Sequence, residues 1–251
     1  MCCMKICVLV LYVFLVSISQ AFTLMTWNIH RGVGADGKTD LARIASVIRD
    51  AQPDAVVLQE VDQGTTRSQG VKQADELEKL LGWQLFFGKA IDFQGGEYGQ
   101  AVLSKWPITE KKIHRLSEAG EARVAIEVTL KTEEESVKVV GVHLDAESAP
   151  RRTNELTVLL KALSAIKGKI IIAGDWNQSP QGDMVSLMKA DTFLEVKKTG
   201  NVMTFPQEKP TIEIDHVWSK GLSAEGKARV IDGKAASDHL PVVAVWGKAI
   251  P

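Results

Sequence analysis

"FTLMTWNIHRGVGADGKTDLARIASVIRDAQPDAVVLQE", residues 22–60, carries the reading that decides the fold. "FTLMTWN" (22–28) is an apolar and β-branched run of the kind that packs in a sheet. "DLARIASVIRDAQ" (40–52) then changes to helical spacing, with Asp40 as an N-cap and Pro53 as a stop. "DAVVLQE" (54–60) returns to a strand. The alternation continues along the chain. "QAVLSK", "RVAIEVTL", "VKVVGVHL", "KIIIAGD", "IDHVWS" and "LPVVAVW" read as further strands, and "ADELEKLLG" and "PRRTNELTVLLKALSAIKG" as helices. The last helix is expected to begin at Pro150 and end at Gly168. Interleaved strands and helices argue for α/β or α+β layering and against an all-β fold.

The chain has 251 residues, 45% of them hydrophobic and 24% charged, ordinary values for a globular protein with one sizeable core. Residues 1–21 stand apart. Lys5 precedes an almost unbroken apolar run from Ile6 to Ile18, and Ser19-Gln20-Ala21 offers small residues at a cleavage site. This predicts a secretory signal peptide, with an uncleaved anchor as the alternative, and hence a secreted or periplasmic protein. The run is shorter than the roughly 20 residues of a spanning helix, and no other stretch of the chain is long and apolar enough to span. Residues 22–251, without repeats or low-complexity linkers, read as one domain and are expected to be monomeric. All the cysteines, Cys2, Cys3 and Cys7, lie in the leader, which excludes disulfides, thiol catalysis and thiolate metal sites from the remainder. The formal net charge of -1 gives no basic footprint for a dedicated nucleic-acid groove.

The chemistry gathers where the apolar runs stop. "LMTW" is followed by Asn28, "AVVLQ" by Glu60 and Asp62, "VVGV" by His143 and Asp145, and "IIIAG" by Asp175 and Asn177. "TIEI" is followed by Asp215 and His216, and "AAS" by Asp238 and His239. A single Asp or Asn at a strand end is an ordinary turn residue. The repetition across segments points to a site assembled at one edge of a layered sheet structure. Carboxylates and an amide without cysteine form a hard-oxygen set suited to Mg²⁺, Mn²⁺ or Ca²⁺. Histidines beside carboxylates supply acid–base and charge-stabilising groups, and an Asp accepting from a His N–H would fix its tautomer. With no Ser or Cys nucleophile signature, the pattern reads as metal-assisted hydrolysis of a phosphate ester by water.

Taken in order, "TWNI" (26–29), "LQEV" (58–61), "YGQAVLSKWPI" (98–108), "VHL" (142–144), "GDWN" (174–177), "IDHVW" (214–218) and "SDHLPV" (237–242) resemble the motifs of the endonuclease/exonuclease/phosphatase superfamily, the DNase-I-like fold. The resemblance spans about Thr23 to Val245 and is greatest to small bacterial members. It implies a four-layer sandwich in which two packed mixed β-sheets are flanked by helices. It also implies roles. Asn28, Glu60 and Asp238 match the metal-binding positions. Asp175 matches the residue that orients or activates water or protonates the leaving group, and Asn177 the amide that holds the scissile phosphate. His239 matches the base or charge-stabilising histidine with Asp215 as its orienting partner, and His143 the phosphate-contacting histidine that can serve as acid.

Other residues carry two readings. Arg123 is either a basic group near the phosphate, a position the family often fills so, or a surface arginine at a strand edge. Arg67, in "GTTRSQG", could reach substrate anions but reads better as a solvated loop charge. His30 follows Asn28 by two, so strand alternation would place both on one face, as a substrate-lining or supporting residue. His216 should point the other way from Asp215 as a structural histidine, His114 should lie at the surface, and Trp176 in the core. "FQGGEYGQ" (93–100) lacks the Lys and setting of a nucleotide loop and reads as a turn before a strand. The substrate class is a phosphate ester: nucleic acid, lipid head group or small phosphoester. A nuclease-like phosphodiesterase leads by resemblance alone. A sphingomyelinase-like enzyme would need an exposed apolar hairpin, and an inositol-phosphate-type phosphatase would need cations such as Arg67, Lys72 and Arg151-Arg152 at the pocket. From a different class, a noncatalytic phospholigand-binding module would keep the fold without needing an Asp–His pair.

Overall fold

The computed structural model of the protein describes residues 21–118, 120–133, 135–222 and 226–247. The expected leader over 1–21, with its cysteines, lies outside these residues except for Ala21. In chain order the first half holds β1 (Phe22–Asn28), α1 (Leu41–Ala51), β2 (Ala55–Gln63), α2 (Gln73–Leu81), β3 (Gln84–Phe93) and β4 (Gly96–Ser104). The second half holds β5 (Ile108–Ser117), β6 (Arg123–Lys131), β7 (Ser136–His143), α3 (Ala149–Leu163), β8 (Ile170–Asp175) and α4 (Asp183–Ala190). It closes with β9 (Leu194–Glu195), β10 (Asp215–Lys220), β11 (Lys227–Val230) and β12 (Val242–Trp246).

The strands form two 6-stranded sheets, ordered β11-β12-β1-β2-β4-β3 and β5-β6-β7-β8-β10-β9. Each sheet is mixed, with β1 parallel to β2 and β7 parallel to β8 among antiparallel neighbours. Leu24, Val57, Val102 and Ala244 of the first sheet pack against Ile126, Val139, Ile171 and Val217 of the second. The outer face of the first sheet, through Met25, Trp27 and Leu58, is covered by Ile44 and Ile48 of α1 and Leu77 of α2. The outer face of the second, through Val142, Ile172 and Trp218, is covered by Leu156 and Leu159 of α3 and Met188 of α4. The result is the four-layer α+β sandwich, helix on sheet on sheet on helix. Central strands covered on both faces must be apolar at consecutive positions, which is why "IIIA" does not alternate. Each such aliphatic side chain contributes about 1.5–3 kcal/mol by burial.

The helix termini follow local chemistry with one departure. Asp40 accepts a hydrogen bond from the Arg43 N–H and starts α1. Ser148 caps α3, and that helix ends at Leu163, short of the expected Gly168. A tight turn after it, in which the Ile166 N–H donates to the Leu163 carbonyl, folds Ile166 back against the core. Strands β3 and β5 have no clear apolar pattern because each is the edge of its sheet. Charged side chains such as those of "EKKIHR" protect an edge from further pairing. The expected turn over 93–100 is confined to Gln94-Gly95, both at positive φ (45° and 78°), as a two-residue hairpin requires. No helix among the described residues is long and apolar enough to cross a membrane.

Gly174 is required by close approach. A Cβ on Gly174 would sit 1.9 Å from the Val142 carbonyl oxygen of the neighbouring strand. Gly174→Ala must push β8 away from β7 and displace Asp175. It is expected to destabilise the protein by more than about 2 kcal/mol, a fall of about 4 °C or more in Tm. Thermal unfolding checks this, and an unshifted transition would contradict the packing described.

Candidate active site

Register alone aligns the first three groups. His143 on β7 pairs with Asp175 on β8, which pairs with Asp215 on β10, so they stand in a row across adjacent strands. Asn28 ends β1 of the other sheet and stitches the two sheets together. Its Nδ2 donates to Asp175 Oδ2 (3.1 Å) and to Glu60 Oε1 (3.0 Å). Glu60 lies where the β2–β4 register slips, between Leu58 and Val61, and has a φ of 56°. A bulge re-aims a side chain, and a left-handed non-glycine residue costs of order 1 kcal/mol or more.

His30 (φ 44°) and Asn177 (φ 48°) are left-handed too. Both lie beyond their strand ends, so the strand alternation expected to place His30 does not apply. His30 still reaches the site: its N–H donates to Asn28 Oδ1 (3.0 Å), and its Nδ1 lies 3.8 Å from Asp238 Oδ2. The Asn177 N–H donates to Asp175 Oδ1 (2.8 Å), and its Nδ2 donates to the Leu144 carbonyl (3.0 Å). Trp176 between them is fully buried, its indole donating to the His216 carbonyl.

Asp238 and His239 come from the loop before β12. Ser237 Oγ donates to the Asn28 carbonyl (2.7 Å), and Trp27 Nε1 donates to the His239 carbonyl (2.9 Å). His239 Nδ1 lies 2.9 Å from Asp215 Oδ2. That leaves its Nε2 3.7 Å from Asp175 Oδ2, and His143 Nε2 is 3.7 Å from the same oxygen. The Phe205 ring packs on His239 at a centroid distance of 4.7 Å. Thr204 Oγ1 accepts from the Asp215 N–H, and its carbonyl accepts from the Leu240 N–H. Thr204, Phe205, Ser237 and Trp27 escaped the sequence reading as site residues. Ser237 and Trp27 adjoin motif residues; nothing in the sequence around Phe205 marks it.

Burial and charge set the protonation of these groups. Burial opposes charge on His239, but Asp215, then Asp175 and Asp238, lift its pKa to about 10. Burial and the Asp215 charge raise Asp175 to about 7, against the lowering by His239 and by its hydrogen bonds from Asn28 and Asn177. Burial, then Arg123 and His239, hold His143 well below the usual histidine range, as a neutral imidazole.

Several expectations change. Arg123 is buried, not on a strand-edge surface: its Nη1 is 3.3 Å from His143 Nδ1 and 2.8 Å from Glu121 Oε1. Arg67 is not a solvated loop charge. Its Nε and Nη2 clamp Asp62 at 2.8 Å each, with the guanidinium 4.4 Å from the Phe93 ring centroid. Asp62 is fully buried, and a buried carboxylate needs such a partner. Asp145 also leaves the site, since it accepts from the Glu147 and Ser148 N–H groups and from Arg151 at the start of α3. His114, expected at the surface, is buried with its Nε2 2.7 Å from Glu127 Oε2, because it pairs with Ala125 of β6, which packs in the cluster under α3. His216 is buried away from the site, its Nε2 2.9 Å from the Gln178 carbonyl.

The donor set suits a hard divalent cation. Glu60 and Asp175 converge on one amide nitrogen, and where an N–H donor draws two carboxylates together a cation can replace it. Asp215 Oδ1 is buried without a partner. Asn28 turns its NH₂ to the carboxylates and its oxygen to the His30 N–H, so here it bridges; ligation through its oxygen requires the amide to turn over. Asp175, Asp215 and His239 also place ligand atoms within 4.8 Å of one another. There the His239–Asp215 hydrogen bond already meets that need, which favours the Glu60 side. A similar grouping of Glu195, Glu213 and His216 holds the Lys198 ammonium, 2.7 Å from Glu213 Oε1.

Comparison with known proteins bears on the family and the fold. A sequence profile of the Endonuclease/Exonuclease/phosphatase family matches residues 25–239. The uncharacterized protein YbhP of Escherichia coli K12 is 24% identical, over 89% of this chain and 95% of its own. A functionally unknown conserved protein from Enterococcus faecalis V583 has a similar structure, with a TM-score of 0.75, 23% identity, and coverage of 90% of this chain and 100% of that one. The mannosyl-6-phosphatase Bt3783 of Bacteroides thetaiotaomicron VPI-5482 superposes with a TM-score of 0.73 at 18% identity, covering 89% of this chain and 98% of that one.

Proposed function

The chain belongs to the endonuclease/exonuclease/phosphatase family, hydrolases of phosphoester bonds, and we propose that it is a divalent-metal-dependent phosphodiesterase that works by in-line attack of water. The observation that carries the reading is the convergence of His143 Nε2 and His239 Nε2 on Asp175 Oδ2, each at 3.7 Å. At that spacing neither imidazole hydrogen-bonds the carboxylate directly, so each Nε2 keeps its donor for a water or a phosphoryl oxygen placed beside all three atoms. A buried carboxylate with a pKa near 7 accepts the proton of an attacking water at neutral pH. The His239 imidazolium, aimed by Asp215, donates from Nε2 to the charge developing on the phosphoryl group. Asn177 has spent one amide hydrogen on Leu144, and the second is available to a non-bridging oxygen. A cation held by Glu60 and Asp238 beside Asp175 would neutralise phosphoryl oxygens and polarise the ester.

Charge balance favours a diester. Glu60, Asp175, Asp215 and Asp238 together outweigh one imidazolium and one divalent ion, a field that disfavours the dianion of a monoester. Three of the four cations named for a small-phosphate pocket, all but Lys72, are occupied elsewhere: Arg67 by Asp62, Arg151 by Asp145 and Glu147, and Arg152 by the Asp145 carbonyl. With Mg²⁺ or Mn²⁺, bis(p-nitrophenyl) phosphate is expected to turn over at least about tenfold faster than p-nitrophenyl phosphate, since each 1.4 kcal/mol is tenfold. Chelation should abolish both rates and added metal restore them. Turnover indifferent to chelator contradicts the metal requirement. A preference for a sugar phosphate monoester, the activity for which the Bacteroides protein is named, contradicts the diester assignment.

A further inference from the structure

Asp175 faces two histidines, and each is held from behind by a group of opposite kind. Behind His239 stands the Asp215 carboxylate, 2.9 Å from Nδ1. Behind His143 stands the Arg123 guanidinium, with Nη1 3.3 Å from Nδ1. A guanidinium carries donors only and stays protonated in proteins. His143 Nδ1 must therefore be the acceptor, and the ring proton must sit on Nε2, the nitrogen facing Asp175. We propose that Arg123 is a positioning residue that fixes His143 as its Nε2–H tautomer, making this histidine a neutral hydrogen-bond donor to the phosphoryl group and not the acid of the reaction. The proposal rests on the phosphoesterase reading above and assigns a role within it.

Several observations support it. Arg123 is itself anchored: it is buried, and the same Nη1 lies 2.8 Å from Glu121 Oε1, so its two hydrogens are committed to Glu121 and His143. To act as an acid, His143 would have to carry a second proton on Nδ1. That would break the hydrogen bond from Arg123 and set two cations against each other in a buried place. Losing its Nε2 proton instead would leave an imidazolate. The charged and titratable groups around the ring are Arg123, Asp175 and His239. Burial with Arg123 and His239 holds the ring neutral, which agrees with the donor role. The pair of histidines is thus differentiated, one a cation through a carboxylate and the other a neutral donor through a guanidinium.

The test is ¹⁵N NMR of the histidine side chains in the full chain, with His143→Gln supplying the assignment, alongside steady-state kinetics. In the wild type, His143 Nδ1 is expected to show the shift of an unprotonated, pyridine-like nitrogen and Nε2 that of a protonated, pyrrole-like one, unchanged between pH 6 and 8. Arg123→Met keeps the bulk and removes the donor. It should yield a mixed tautomer pattern and a kcat lower by about ten- to a hundredfold with KM little changed, by analogy with the loss of partners that orient metal-bound histidines. Arg123→Lys, which restores a cationic donor, should recover most of the rate and the wild-type pattern. A protonated Nδ1 in the wild-type spectrum overturns the proposal even if Arg123→Met fails to fold. So does an unchanged His143 pattern in Arg123→Met. The NMR pattern does not depend on turnover, so absence of phosphoesterase activity would count against the function and leave the tautomer assignment to be judged on its own.

Discussion

Asp175→Asn is expected to lower kcat by about 10²- to 10⁴-fold, the range for loss of a positioned general base, with KM little changed. The substitution preserves shape. The Asn177 N–H can still donate to the side-chain oxygen, as it does to Asp175 Oδ1 at 2.8 Å. The other oxygen is the one that matters: it receives the Asn28 amide at 3.1 Å and stands 3.7 Å from both imidazole Nε2 atoms. An NH₂ there faces donors on every side and takes no proton from water. Stability should move differently from activity. Asp175 has a folded pKa of about 7, raised by burial and by Asp215 from an ordinary 3.8. Its contribution to stability is therefore present below about pH 4 and is lost as pH rises through about 7. The neutral asparagine lacks that slope, so any Tm deficit of the metal-free variant, set by the opposed donors at its NH₂, should shrink as pH rises from about 4 through 7. A variant that retains a tenth or more of wild-type kcat would remove Asp175 from the base role. One that unfolds at neutral pH would mean the asparagine disrupts packing, against the isosteric argument.

How far the sequence reveals this site depends on which physical signal each residue leaves. His143, Asp175 and Asp215 were legible because register carries them: each terminates or opens an apolar strand, and parallel or antiparallel pairing sets them side by side. The layers were legible for the same reason, since strands buried on both faces are apolar without alternation. Edge strands β3 and β5 were not, because an edge is selected for charge and not for burial. Backbone conformation left no trace either. Glu60, His30 and Asn177 take left-handed geometry that no motif announces, and the alternation argument used for His30 reached the right neighbourhood by a geometry the chain does not adopt. Partner choice was the least legible. Whether Arg67 or Arg123 is free, clamped to an aspartate or aimed at a histidine depends on long-range contacts, and Phe205 reaches His239 from a loop without any pattern of its own.

The second large effect separates a role for Asp215 in orienting and charging His239 from a merely structural one. Asp215→Asn is expected to lower kcat at pH 7 by about 10²- to 10⁴-fold, the scale seen when the aspartate that orients a catalytic histidine becomes an amide. Wild-type activity should follow a bell. It rises as Asp175 ionises near pH 7 and falls as His239 loses its proton near pH 10, and a bound cation draws the lower limb to more acid values. The carboxylate at 215 acts on both limbs with the same sign. Its charge and its hydrogen bond hold the proton on His239 against burial, and its charge also disfavours the anion of Asp175. Without it, burial dominates His239 and the imidazolium is lost at lower pH, while Asp175 ionises more readily. The whole profile should therefore move toward acid, as coupled groups titrate together. Part of the activity lost at pH 7 should return near pH 6. Stability follows the same logic: the folded pKa of His239, raised from 6.5, means the wild-type ion pair stabilises fully below about pH 6.5 and is lost as pH rises through about 10. The pH dependence of kcat for the two proteins decides the matter. A uniform loss with both limbs fixed would make Asp215 a packing residue, whereas a joint acid shift requires the carboxylate to set the charge of both its neighbours.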